Sequence, residues 1–253
     1  MDSRIVAEKI DILGVNVEPL TRQDAIIRIE DLIVADAPRS VCIVNAHTLN
    51  ISWKNEDYRR ILDGADLVLN DGSGVSWAAR MQDRKFLDNM VGTDFVPALC
   101  DHLQEKGRSI FLLGAAPGVA ESAASILKAR YPGLMIAGSH HGYFTKLEEG
   151  EVLDIIRKSD PDVLLVALGN PKQEIWIHEN MAKLGVPVSI GVGALFDYLS
   201  GRVRRAPRWM LDRGIEWVFR LIVEPKRLWR RYIVGNPLFV IRVIYYTKIK
   251  KRR

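Results

Sequence analysis

The sequence predicts an α/β protein: a Rossmann-like parallel sheet with helices on both faces over residues 1–200, then a basic helical C-terminal appendage over residues 201–253. Three observations predict it. Short apolar runs rich in Val, Ile and Leu alternate with helical stretches of about ten residues or more, the pattern of strands buried on both faces and joined by crossover helices. The runs give way to Gly and polar residues, as at Asn70-Asp71-Gly72-Ser73-Gly74 and Gly191-Val192-Gly193. The charge is also split: residues 202–253 carry 16 basic and 3 acidic side chains, a net of +13, against −8 for the first 201 residues.

The first strand is expected over Ile12–Val17. Thr21, with Asp24 three residues on, reads as an N-cap that starts a helix over Arg22–Val34. Strands follow at Val41–Asn45 and Leu67–Leu69, the second leading into a helix over Val75–Arg80. Ser109–Leu113 is the next strand. Pro117 fits the first turn of a helix that runs to Tyr131, where Pro132-Gly133 ends it. Met135–Ser139, Asp162–Leu168 and Val188–Val192 complete the strands. In the appendage, Ile215, Val218, Phe219 and Ile222 keep helical spacing.

With 48% apolar and 26% charged residues over 253 positions, the chain is not disordered over most of its length, and it can bury a sizeable core. Cys42 and Cys100 lie in apolar surroundings and read as buried, reduced thiols, which suits a cytosolic compartment. Residues 1–10 mix charges with short apolar pieces, unlike a signal peptide. The best candidate for a membrane span, Tyr232 to Tyr246, is interrupted by Asn236, Pro237 and Arg242. A soluble or peripheral protein is expected.

The appendage must meet something anionic. Its Trp, Tyr and Arg residues suit an anionic membrane surface, where aromatics sit at headgroup level and Arg reaches phosphates. A helix docked on the body with a solvated basic face is the plainer reading. Nucleic acid is the third, and no RNA-binding module accompanies the aromatics. Exposed apolar surface on the appendage also makes a homo-oligomer an expectation.

In an open α/β sheet, ligands bind beyond the carboxyl ends of the strands. Six segments, together rich in Gly and polar groups, follow the strands, beginning at Asn45, Asn70, Gly114, His140, Gly169 and Gly191, and together they predict a nucleotide-sized pocket. Asp71 has two readings there: an N-cap for the following helix, or a general base that takes a hydroxyl proton. The segment from Gly114 to Gly118 lets backbone N–H groups approach a phosphate at a helix N-terminus. It is not the GxGxxG fingerprint, so a nicotinamide cofactor is not indicated and no cofactor is expected. Asp160-Pro161-Asp162 looks like a metal-holding DxD, but it precedes its strand, at the wrong end of the sheet. His140-His141 lacks ligand partners at suitable spacing, so no metal site is expected. Asp197, between Phe196 and Tyr198, either accepts from a base or ribose or caps a turn.

These segments, in this order, resemble the WecG/TagA/CpsF family of bacterial glycosyltransferases over nearly the whole chain. The most specific are Ala65 through Val75, Phe111-Leu112-Leu113-Gly114, His140-His141-Gly142-Tyr143-Phe144, Gly169-Asn170-Pro171-Lys172-Gln173-Glu174 and Ile190 through Asp197. In the appendage they are Arg205-Ala206-Pro207-Arg208-Trp209, Gly214-Ile215-Glu216-Trp217, Glu224-Pro225 and Gly235-Asn236-Pro237. The resemblance implies an inverting, metal-independent transfer of a hexose or N-acetylhexosamine-type sugar. The donor is a UDP-sugar, the acceptor is polyprenyl (undecaprenyl)-diphosphate-linked, and the place is the cytoplasmic face of the inner membrane. It implies Asp71 as catalytic base, Asn45 at the pocket rim, Tyr143 as a platform for uracil, and Gln173 and Asp197 as donor contacts; Gly114 joins the substrate-binding candidates from its Gly-rich turn. It brings Arg220, Arg227 and Arg230 over the active site, their spacing of seven and three keeping one helical face if Pro225 only bends the helix. A non-catalytic UDP-sugar-binding subunit of a polysaccharide assembly complex is the alternative.

Two positions depart from the family pattern. Asn89 stands where many members have Arg, and Ile43 where many have Thr. Relatives with Arg and Thr there often use N-acetylmannosamine-type donors, so a neutral hexose donor such as UDP-glucose stays open. Truncation after about residue 200 is expected to leave a folded UDP binder with little transfer activity.

Overall fold

A computed structural model describes residues 8–35 and 37–250. The chain opens on a hairpin of β1 (Ile10–Ile12) and β2 (Val15–Val17), followed by α1 (Arg22–Val34), β3 (Arg39–Val44), α2 (Ala46–Lys54) and α3 (Glu56–Asp63). Next come β4 (Leu67–Asn70), α4 (Ser73–Arg80), α5 (Gly92–Glu105), β5 (Ser109–Gly114), α6 (Val119–Arg130) and β6 (Met135–His140). The body ends with α7 (Glu149–Ser159), β7 (Val163–Ala167), α8 (Lys172–Leu184), β8 (Val188–Gly191) and α9 (Leu195–Leu199). The appendage comprises α10 (Arg208–Asp212), α11 (Glu216–Val223), α12 (Pro225–Trp229), a π-helical turn (Arg230–Val234) and α13 (Gly235–Lys250).

The main sheet has six strands in the order β4-β3-β8-β7-β5-β6, every pair parallel. Alternation along each strand sorts the core by face. Val41, Ile43, Leu67, Leu69, Ile110 and Leu112 join the apolar faces of α1, α5, α6 and α9 in one cluster. On the other face, Cys42, Val44 and Val68 pack with the hairpin and α2–α4. Phe111, Leu113, Leu164 and Val166 pack with α7 and α8. Both cysteines are buried.

The expected Ile12–Val17 strand is corrected to the hairpin. Leu13 and Gly14 both take positive φ, 56° and 85°, and the Gly14 N–H donates to Asp11 Oδ1 at 2.8 Å. Two left-handed residues in succession turn the chain back on itself, and three residue pairs zip antiparallel. Thr21 does cap α1, its hydroxyl accepting from the Asp24 N–H at 3.1 Å. Pro117 falls before its helix, because Gly118 in the left-handed region (φ 84°) starts α6 at Val119.

Pro225 does more than bend a helix. α11 stops at Val223, Glu224 leaves helical geometry (φ −129°, ψ 56°), and α12 begins anew at Pro225. Lacking an N–H and restricting the residue before it, proline makes that break. No continuous helix therefore carries Arg220, Arg227 and Arg230 on one face. α13 docks on the body: Phe239 and Val243 are 2% exposed and enter the cluster of α2–α4. Arg242 Nη1 donates to Asn50 Oδ1 (2.7 Å) and the Asn50 carbonyl (3.0 Å). Asn50 Nδ2 donates to the Gly235 carbonyl at 2.7 Å, and the Tyr246 hydroxyl donates to Asp11 Oδ2 at 2.8 Å. No helix among the described residues is long and apolar enough to cross a membrane.

Candidate active site

Strand order fixes where the cleft opens. β3 leaves the sheet toward α2 on one face, and its neighbour β8 leaves toward α9 on the other. Chains that part in this way leave a crevice at their carboxyl ends. There the structure has a cleft of about 1610 Å³ between the sheet and the appendage. The loops after β3, β4, β7 and β8 line it. The segments from Gly114 and from His140 follow β5 and β6, at the far edge of the sheet, and do not.

Asp71 lies at the floor, one residue past β4. The helix that follows is capped at Gly72 (φ 88°) without any side-chain bond, so Asp71 is not its N-cap. Its N–H is spent on the Val44 carbonyl (2.8 Å), and its Oδ2 accepts from Asn45 Nδ2 at 3.4 Å. Asn45 is held in that pose by capping α2: its Oδ1 accepts from the N–H groups of His47 (3.1 Å) and Thr48 (3.2 Å). With the oxygen engaged there, the amide nitrogen is the end that faces Asp71. Burial pushes the Asp71 carboxyl above the ordinary Asp range, while the Asn45 hydrogen bond and the charges of Arg231 and Arg220 pull it partway back.

The roof is cationic. Arg220 sits 5.5 Å over the Tyr198 ring and Arg231 5.5 Å over the Tyr232 ring. The Nε of each is buried with no acceptor among the described residues. Burial works hardest against the Arg231 charge, lowering its pKa, with Arg220 and Arg227 adding to the effect. Burial, and then Arg231, push the His47 imidazole down to about 4, so it is neutral at physiological pH. Arg227 and Arg230 line the cleft farther out. Both are exposed; Arg227 pairs with Glu224 and Arg230 lies over Trp229. Arg205 ties the linker before α10 to the start of α5, donating from Nη1 to Asp94 Oδ1 at 2.7 Å.

Six of the residues expected at the site line this one cleft: Asn45, Asp71, Gln173, Arg220, Arg227 and Arg230. Gly114, Tyr143 and Asp197 do not. Gly114 (φ 136°) is needed for close packing, since a Cβ there would meet the Ala167 carbonyl oxygen at 2.5 Å. Tyr143 is 74% exposed. Asp197 faces Arg202 at 3.7 Å. The two departures, Ile43 and Asn89, both line the cleft, and Asn89 Oδ1 accepts from the Gly72 N–H at 2.8 Å. Arg231, His47 and Glu216 were not singled out from the sequence as site residues. Burial raises the Glu216 pKa, and so does the Asp71 charge. The doublet Arg230-Arg231 was the available signal for Arg231, but a π-turn changes which member faces inward. Asp162, of the DxD-like triplet, accepts from the Ser109 N–H (2.7 Å) and pairs with Arg108 (3.2 Å), a strand-start role. Among the described residues, no three His, Cys, Asp or Glu side chains cluster as metal ligands.

A doubly wound sheet whose switch-point cleft sets one carboxylate under a guanidinium-rich roof defines a class: α/β proteins that handle polyanionic, nucleotide-sized ligands. Comparison with known proteins narrows it. The model of the WecG/TagA/CpsF glycosyl transferase family matches residues 10–253. The chain is 34% identical over 211 residues to the N-acetylglucosaminyldiphosphoundecaprenol N-acetyl-beta-D-mannosaminyltransferase of Bacillus subtilis (strain 168), covering 83% of this chain and 81% of that protein. It is 28% identical over 256 residues to the enzyme of the same name from Staphylococcus aureus (strain NCTC 8325 / PS 47), covering 100% and 99%. The chain belongs to the WecG/TagA/CpsF family, and it is a glycosyltransferase.

Proposed function

We propose that the protein moves a sugar from a UDP-sugar to a polyprenyl-diphosphate-linked sugar acceptor, inverting the anomeric centre without a metal. The relatives' names supply the acceptor class. The observation that carries the mechanism is Asp71: a half-buried carboxylate on the cleft floor, free of any capping duty, with raised proton affinity. A carboxylate so tuned takes a proton more readily. In the step, an Asp71 oxygen takes the proton of the acceptor hydroxyl as the hydroxyl's own oxygen bonds to the anomeric carbon. The bond from that carbon to the diphosphate oxygen breaks on the opposite side, and UDP leaves with the electron pair. Arg220 and Arg231 are placed to meet the negative charge, with Arg227 and Arg230 farther out. Guanidinium donors preorganised in a partly buried site serve this purpose well.

Ile43 and Asn89 line the cleft and bear on the donor sugar: the relatives are named for N-acetylmannosamine transfer, and a neutral hexose is the alternative. The protein binds peripherally to the cytoplasmic membrane face through α11, α12 and the π-turn. There Ile222 (71%), Trp229 (46%) and Ile233 (55%) are exposed among Arg and Lys residues, a pairing that suits an anionic bilayer surface. A screen of UDP-sugars with a synthetic lipid-diphosphate acceptor, EDTA present throughout, tests the reading. One donor should give an inverted product. No transfer from any donor overturns it and leaves only a binding subunit, and full transfer by Asp71→Asn overturns the role of Asp71 as base.

A further inference from the structure

Glu174, in the first turn of α8, lies behind the cleft floor and is 2% exposed. Its neighbours are neutral donors. The Tyr58 hydroxyl donates to Oε2 at 2.9 Å. Asn170 Nδ2 (2.5 Å) and Gln173 Nε2 (2.7 Å) donate to Oε1. No cationic side chain of the described residues is among the groups that set its proton affinity, and burial dominates in raising it. A buried carboxylate without a cation is costly to fold and calls for a reason.

Gln173 supplies the reason. It is 1% exposed, lines the cleft, and its Oε1 accepts from the Gly193 N–H at 3.0 Å. It runs so close beneath β8 that a Cβ on Gly191 would stand 2.7 Å from its Nε2. A side-chain amide is nearly symmetric in shape but not in polarity. Turned over, it would aim a donor at the Gly193 N–H and an acceptor at Glu174. Glu174 Oε1 already accepts from Asn170 Nδ2 as well, and the Gly193 N–H can only donate, so the observed orientation is the one that satisfies both neighbours. The second hydrogen on Nε2 then remains for a ligand in the cleft.

We infer that Glu174 is a positioning residue: its buried carboxylate locks the polarity of the Gln173 amide and, through it, the Gly191–Gly193 turn at the cleft floor. The inference rests on reading this cleft as the donor and acceptor site. Glu174→Gln keeps size but removes one of the two constraints, leaving the Gly193 N–H alone to hold the amide's polarity. In the substrate-free protein, the Gln173 side-chain and Gly193 backbone amide signals, followed by nitrogen-15 NMR, should both shift. Donor KM should rise about tenfold with kcat changed far less, the effect of one misdirected hydrogen bond to a charged partner. In a Gln173→Ala background the same substitution should add nothing, since its effect passes through Gln173. Additive losses, or amide signals that stay in place, overturn the assignment. Tyr58→Phe, which keeps the carboxylate but strips its Oε2 donor, should move the same two signals less and in the same direction. It decides the matter if Glu174→Gln does not fold, and unmoved signals would count against Glu174. Should the wild type transfer no sugar, the functional reading fails on its own, and the substrate-free signals still judge the role of Glu174.

Discussion

Burying Asp71 at the cleft floor raises its proton affinity, with opposite consequences for activity and folding. Asp71→Asn keeps the shape but cannot take a proton, so transfer should fall by about 10²–10⁴, the usual contribution of a general base. Stability should go the other way. The native state holds this proton to higher pH than the unfolded chain, so the carboxylate's contribution falls as pH rises from about 3.9, the unfolded value, through the raised native one. Above that window the wild type carries a net-unfavourable buried charge that the Asp71→Asn variant lacks. Thermal melts should show the variant more stable than wild type at pH 8 and equal to it below the unfolded value; a less stable variant at pH 8 contradicts the sign. Side by side, Arg231→Ala should cost about tenfold more in kcat than Arg230→Ala. Arg231 is half-buried with an unpaired Nε and acts electrostatically on Asp71, whereas Arg230 is exposed over Trp229. Equal losses in steady-state kinetics would return the role to the doublet as a whole.

The elements divide into those a local pattern specifies and those that need distant partners. Thr21 and Asp24 state the start of α1 outright, and the apolar runs name the six parallel strands to within a residue or two. The hairpin at Leu13-Gly14 escaped because Ile12 through Val17 reads as one short apolar run, and a single Gly hardly separates a turn from a bulge. At the site, Asn45, Asp71 and Gln173 were legible from their motifs. Gly114 and Tyr143 lie outside the lining of the cleft because strand order, which no local pattern gives, puts β5 and β6 at the end of the sheet away from β3 and β4. The appendage was legible in charge but not in register, since a break at Glu224 and a π-turn reset which residues face inward. Docking of α13 was equally nonlocal: Phe239 fills the wall of α2–α4. Phe239→Ala should therefore cost about 3–5 kcal/mol, read from denaturant unfolding. Truncation after residue 200 should give a chain that still binds UDP but melts lower, because it loses Phe239 and Val243. A truncated chain as stable as the full one would show that α13 adds nothing to the core.

Across the whole molecule, the charge split bears on the proposed membrane contact. An appendage at +13 on a body at −8 makes the protein strongly dipolar, and an anionic surface attracts one end while repelling the other. The basic end is also the roof of the cleft, so the orientation that brings the appendage to the lipid brings Asp71 near the headgroups, where a lipid-linked diphosphate would present its sugar. Each basic side chain near such a surface contributes about 1 kcal/mol, screened within a Debye length. Exposed Ile222 and Ile233 add apolar burial. Flotation should therefore recover the protein with vesicles containing anionic phospholipid but not with purely zwitterionic ones, and high salt should release most of it. Replacing Ile222 and Ile233 together by Glu should weaken vesicle binding at least about tenfold, since two carboxylates would oppose both the lipid charge and the apolar contact. The same variant should keep its turnover on a short-chain, water-soluble acceptor and lose it on an acceptor embedded in vesicles. Undiminished vesicle binding, or equal losses on both acceptors, would mean that this face does not meet the membrane and that the dipole serves only the substrates inside the cleft.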